Sequence, residues 1–290
     1  MSDPNTPQSA PEYPPAPGSS DERRFVEEDP VRRPFEAAPS PGGAGEAETM
    51  STPETLSGIF FEPGRTFNAL RARPRFLVAA ALIVVSVMAF VFLLYNRVSY
   101  EQFVRQAIET NSRTADMPAD EKEKIISMQT GPVFKAIAYV SPAVGITAFF
   151  FIGAALYLLG SMAMGTAMSY KQALSVWVYS SLPPALLMMV ANIILLFLKS
   201  ADDITPENAQ RGLARANLGL LVNGAESPVL GTVLGLVDFF SIYGLVLAAV
   251  GVRKMTRLSS GASWAVVLIV WVVGAVLRVA MSAAFGQPMA

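Results

Sequence analysis

The apolar positions of this chain gather into five long runs separated by polar segments. The first, residues 76–95, has no charged side chain. It is about as long as the 20-residue stretch a helix needs to cross the hydrocarbon of a bilayer. Comparable runs cover 142–164, 173–198, 229–252 and 264–285. The pattern predicts an all-α fold: a polytopic membrane helix bundle with five transmembrane helices.

Local signals punctuate these runs. The second has Pro142 near its start and Gly145, Gly153 and Gly160 along it, where neighbouring helices approach closely. The third opens with Ser169 and Gln172, a capping box in which hydroxyl and amide satisfy free backbone N–H groups. Pro183 and Pro184 interrupt it; each lacks an N–H and crowds the carbonyl four residues back, at Tyr179 and Ser180. A helix kink near the middle of the membrane is expected there. Ser227 and Pro228 are placed as N-cap and first helical residue of the fourth span, and Ser259, Ser260 and Ser263 precede the fifth.

Between and before the spans the periodicity weakens. Residues 55–75 set Leu56, Ile59, Phe60, Pro63, Phe67 and Leu70 at helical spacing beside Arg65, Arg71, Arg73 and Arg75. Two readings fit: an interfacial amphipathic segment, or a basic flank that orients the first span. Pro63 and Pro74 break any continuous helix here. In the connector 96–140, Glu101, Phe103, Val104 and Ile108, then Ile125, Ile126 and Met128, predict two short amphipathic helices against the bundle. Thr130, Gly131 and Pro132 end the second, and a polar loop follows Lys199.

Composition sharpens the picture. The chain is 52% hydrophobic and 16% charged, where soluble domains average about a quarter charged. Its net charge of −1 hides an asymmetry, because residues 1–50 carry ten acidic and four basic side chains. The same 50 residues hold ten of the 21 prolines and the glycines Gly42, Gly43 and Gly45. They bury too little apolar surface to offset chain ordering, so a disordered, acidic, Pro-rich cytoplasmic tail is expected at 1–50 and a membrane domain at 51–290. Pro11, Pro14 and Pro17 have PxxP spacing, which aromatic grooves of protein partners bind, although composition alone also produces it. The first ten residues lack the basic and apolar regions of a cleaved signal peptide.

There is no cysteine and no histidine. Disulfides, Ser-His and Cys-His nucleophile pairs and HExxH zinc sites are thereby excluded. An intramembrane aspartyl protease needs two facing carboxylates, and Asp238 is the sole acid in any predicted span. No catalytic, cofactor-binding or metal residue is expected, and the partners are the lipid bilayer and proteins met through the tail, not nucleic acid.

Two charges do fall inside spans, Asp238 and Arg278. At 1.5 Å per residue both sit about 10–14 Å below the same boundary. Gly231 and Gly235 flank one as GxxxG, and Trp264, Trp271 and Arg278 share a face of the other helix. An intramembrane ion pair is expected, since an unpaired charge costs about 2.5–3.5 kcal/mol on insertion scales. The short turns after spans two and four carry Lys171, Arg253, Lys254 and Arg257 without an acid. The positive-inside rule then puts the N-terminus in the cytoplasm and the C-terminus outside, across the cell inner (plasma) membrane.

Three stretches carry a family resemblance: residues 58–74 (GIFFEPGRTFNALRARP), 169–187 (SYKQALSVWVYSSLPPALL) and 236–258 (LVDFFSIYGLVLAAVGVRKMTRL). With five predicted spans behind a cytosolic tail, the chain resembles the Yip-domain family of Ypt/Rab-interacting membrane proteins, in its bacterial branch. The resemblance covers roughly residues 56–285 and excludes the tail. It implies a non-enzymatic integral membrane protein that scaffolds partners or organises the membrane. Eukaryotic relatives are associated with vesicle traffic and prenylated Rab GTPases, but this tail has no segment that marks such binding. The alternative is a small-solute or ion transporter or channel using a polar midplane around Tyr179, Asn192 and Asp238, because ionisable groups and proline-broken helices recur in such sites. A water-filled cavity reaching those residues favours transport; a packed interior favours the scaffold.

Overall fold

The computed structural model describes residues 50–109, 111, 114, 116–222, 224 and 226–287. The expected tail therefore lies, except for Met50, outside the described residues. The helices are α1 (Thr52–Phe61), α2 (Pro63–Ala72), α3 (Leu77–Arg97), α4 (Tyr100–Glu109), α5 (Ala119–Gln129), α6 (Pro132–Ala163), α7 (Tyr170–Leu198), α8 (Pro206–Arg211), α9 (Pro228–Gly235), α10 (Phe239–Thr256) and α11 (Ser260–Phe285). Five of them, α3, α6, α7, α10 and α11, are long and apolar enough to cross a membrane.

The signals that delimit them are chemical. Ser169 and Gln172 form the reciprocal capping box at the start of α7, with bonds of 3.2 and 2.8 Å. Pro63 takes the first position of α2, where its missing N–H deprives no intrahelical bond, and so turns the chain between α1 and α2. Gly131 and Pro132 open α6 ten residues ahead of Pro142, which lies inside the helix instead of near its start. Ser259 caps α11 by accepting the Ala262 N–H at 3.2 Å.

The central element is α7, packed against α3, α6 and α10, with α11 closing on α10 and α6. The main core joins Ala79 and Ile83 of α3, Phe150 and Ala154 of α6, Val176 and Leu182 of α7, Ala248 and Val252 of α10, and Val266 and Val267 of α11. Two glycines of α6 let side chains lie against its backbone. A Cβ at Gly153 would fall 2.1 Å from the Trp177 ring, and one at Gly160 would fall 2.8 Å from Val266. Outward faces carry exposed Leu77, Val85, Val144, Ile152, Val276 and Leu277. In water such a surface would aggregate, and in a bilayer it is the lipid-facing side.

The two ends of the bundle differ. At one end lie α1, α2 and the short turns between α6 and α7 and between α10 and α11. At the other, Arg97 at the end of α3 donates to the Lys199 carbonyl at the end of α7, at 3.0 Å. A second core there gathers Phe90, Leu94, Phe103, Leu196, Ile204 and Leu213. The connector folds as the two amphipathic helices α4 and α5, joined through Val104, Ile108 and Ile126. Arg105 clasps both oxygens of Glu123 at 2.8 and 3.1 Å, which holds the Glu123 carboxyl below its usual range.

The fourth run is divided. The helix stops after Gly235 and restarts at Phe239, leaving α9 as a short separate helix. Glycine is a poor helix residue and aspartate a good N-cap, and here Asp238 accepts the Ser241 N–H at 2.9 Å.

Candidate functional site

Two polar constellations occupy opposite ends of the bundle. The first is built on the α1–α2 hairpin. Its apolar periodicity turns Ile59, Phe67 and Leu70 into the main core, all fully buried, so the hairpin is part of the bundle's packing. Gly251 on α10 makes room for it: a Cβ there would lie 2.9 Å from Val176 and 3.0 Å from the Phe67 ring. Gly58 admits the Thr66 hydroxyl in the same way, at 2.6 Å.

Polar links fix this hairpin to the start of α7. The Gln172 side-chain amide donates to the Arg71 carbonyl at 2.9 Å, and the Ser175 hydroxyl reaches the Arg75 carbonyl at 3.4 Å. Arg75 in turn donates to the Met50 carbonyl and, at 3.3 Å, to the Thr52 hydroxyl, which ties down the start of α1. Ser51 and Glu54 close a capping box on α1. The Ser51 backbone N–H and then its side chain hold the Glu54 carboxyl below the usual range. Of the basic flank, Arg65 pairs with Glu62 at 3.0 Å, Arg73 is exposed, and Arg71 and Arg75 are partly buried. Phe61, 85% exposed, projects from the same hairpin.

The second constellation is the segment 212–218, laid across the far ends of α7 and α10. Asn192 pins one end of it. Its Oδ1 accepts the Ala214 N–H at 2.9 Å while its amide donates to the Met188 carbonyl at 2.9 Å. Asp238 sits at the other end, bridged antiparallel to Asn217. The Phe239 N–H reaches the Ala216 carbonyl at 3.1 Å and the Leu218 N–H reaches the Val237 carbonyl at 3.3 Å. Gly219 then packs onto the α9 glycines: a Cβ there would lie 3.1 Å from the Gly231 carbonyl and 3.5 Å from Gly235.

The residues singled out from sequence thus separate. Asn192 and Asp238 meet the same segment, whereas Tyr179 lies elsewhere, directed at the Thr55 side chain below α1. Tyr179 and Asn192 are each 1% exposed, buried in packed surroundings. The structure does not bring Asp238 and Arg278 together. Asp238 is spent on capping α10, Arg278 is exposed on α11, and no ion pair joins them among the described residues. The physical reason is the break after Gly235, which moves Asp238 from the middle of a helix to the start of one.

Pro183 and Pro184 are buried within α7. The Ser180 carbonyl, which Pro184 leaves without its intrahelical donor, and the Pro184 ring both face Gly244 of α10, each 3.6 Å from where a Cβ would stand. Pro184 therefore lies in the α7–α10 contact. Among the described residues no three His, Cys, Asp or Glu side chains come together as metal ligands would.

Comparison with known proteins adds a family. A profile described as the Yip1 domain matches residues 57–281. The chain is also 24% identical over 220 residues to "Membrane protein YknW" of Bacillus subtilis (strain 168), an alignment covering 74% of this chain and 84% of that one. No solved structure matches.

Proposed function

The chain belongs to the Yip1 domain family and is a multi-pass membrane protein, and from that premise we propose that it acts without catalysis, as a scaffold for partners or an organiser of the membrane. The observation that carries this reading is the docked α1–α2 hairpin. It presents a basic, partly aromatic surface at one end of a packed bundle, where Phe61, Arg65 and Arg73 are exposed. By the positive-inside rule this end faces the cytoplasm: Arg65, Arg71, Arg73, Arg75, Lys171, Arg253, Lys254 and Arg257 gather there against Glu54 and Glu62. That orientation gives the hairpin the cytoplasmic side of the inner membrane, where it meets proteins or anionic headgroups, and gives the N-terminal tail the same side, where it meets protein partners.

The burial of Tyr179 and Asn192 weighs against transport, because a solute path through them needs water contact that neither has. The test is crosslinking and pull-down from membranes with the full chain and with residues 1–50 deleted, alongside solute flux in vesicles holding the purified protein. Partners that disappear on deletion, with no flux, support the scaffold. Unchanged partners together with solute movement overturn it.

A further inference from the structure

A cavity of about 580 Å³ opens at the end of the bundle opposite the α1–α2 hairpin, within the range of small-molecule sites. Its walls come from the last turns of α7, the segment 212–216, and Phe240 at the start of α10. Two cations line it. Lys199 forms no ion pair among the described residues. Arg215 is oriented by one bond of 2.6 Å to Asn208 Oδ1, which leaves most of its guanidinium N–H groups to a ligand. Facing these cations are apolar walls that include Leu195, Leu220 and Phe240. The end of α7 has the pattern of a membrane boundary: its last residues, Phe197 and Leu198, are apolar and exposed, and Lys199 follows them directly. Beside the cavity, Leu218, Leu220 and Leu221 are exposed in a short 3₁₀ turn, an arrangement suited to the boundary between headgroups and acyl chains.

We propose that this cavity binds the phosphate group of an anionic amphiphile, with Lys199 and Arg215 contacting the phosphate and Leu195, Leu220 and Phe240 receiving the adjoining apolar part. A guanidinium fork and an ammonium are the side chains that match phosphate oxygens, and neither has a carboxylate partner among the described residues. The apolar walls distinguish the site from one for a free ion, whose burial against them would be unfavourable.

The test uses the full chain in phosphatidylcholine vesicles doped with phosphatidylglycerol bearing a photoreactive group next to its glycerol, and maps the label by mass spectrometry. Label is expected on residues 212–220 and the end of α7. It should fall about tenfold in Lys199→Gln/Arg215→Gln, as expected for lost charge-assisted bonds, and be retained in Lys199→Arg/Arg215→Lys. Leu195→Trp, which fills the cavity without changing charge, should also abolish it. Competition by millimolar inorganic phosphate would assign the same phosphate chemistry to a soluble ligand; competition by unlabelled phosphatidylglycerol alone assigns it to lipid. Equal labelling of the wild type, the double glutamine variant and Leu195→Trp, or equal labelling by a phosphatidylcholine probe, would overturn the proposal.

Discussion

Replacing Phe67 by alanine removes the ring that seats α2 on the bundle. The ring is fully buried and lies where Gly251 has no side chain, so its loss leaves a void bounded by Val176 and the α10 backbone. Burying and packing such a ring in a core is worth about 3–5 kcal/mol. The low end applies, because a hairpin released at the membrane surface can re-insert its apolar face into the interface. A loss of roughly 3 kcal/mol, set against about 1.4 kcal/mol per factor of ten, raises the open population of the hairpin roughly 100-fold. Trypsin reports that population directly, since Arg71 lies in the last turn of α2 and is cut only when the helix opens. Phe61→Ala is the internal control: the same chemistry on a side chain 85% exposed should leave the cutting rate nearly unchanged. If Phe67→Ala and Phe61→Ala are cut at the same rate as wild type, the hairpin is not held by its core face and the docking argument fails.

Three further outcomes follow from named bonds. Asn192→Leu leaves the Ala214 N–H without its acceptor, so thermal stability should drop by about 1–3 kcal/mol and amide exchange at Ala214 should accelerate; unchanged exchange would show that Asn192 does not hold the segment. Because the folded state holds the Glu54 carboxyl below its usual range, its cap is intact above about pH 4.3 and is lost as pH falls through the depressed value. Amide exchange in the first turn of α1 should therefore rise on acidification, and Glu54→Gln should remove that acid step. Asp238→Ala should cost about 1 kcal/mol in detergent thermal stability while Asp238→Asn, which can still cap, retains most of it; with Arg278→Gln the losses should add. Non-additive losses would restore a direct Asp238–Arg278 interaction.

The spans were legible because hydropathy and length report the same physical requirement, a helix that satisfies its own backbone through lipid. Capping at Ser169, the turn at Pro63 and the stop at Thr130 to Pro132 were equally legible, since these signals act within a few residues. What local pattern cannot carry is the identity of a partner. The spacing of Ile59, Phe67 and Leu70 says that the hairpin has an apolar face, and the absence of a side chain at Gly251 decides that it faces protein. Similarly, residues 229–252 are apolar across Gly235 to Val237, so hydropathy reads one span where the structure has α9, a break and α10. Both GxxxG and an in-span aspartate suggested helix–helix packing. The glycines instead receive Gly219, and the aspartate meets a segment some 20 residues earlier in the chain.

The break is tolerable at a membrane only because its polar groups are taken up locally. A helix interrupted near lipid exposes N–H and C=O groups that hydrocarbon cannot satisfy, each costing several kcal/mol. Here Ala216 accepts from Phe239, Leu218 donates to Val237, and the Asp238 carboxylate accepts from Ser241. The segment 212–218 therefore does for α10 what a preceding helical turn would have done, and Asn192 on α7 secures its other end. With the start of α10 fixed in this way, the span that crosses is 18 residues, about 27 Å at 1.5 Å per residue, close to the hydrocarbon thickness. Extending α10 by α9 would lengthen it beyond that thickness and draw Asp238 inward. The carboxylate thus ends the span at the membrane boundary, where a charge is inexpensive, and its role is architectural: it sets where α10 begins and so where Gly251 meets Phe67 at the opposite end of the same helix.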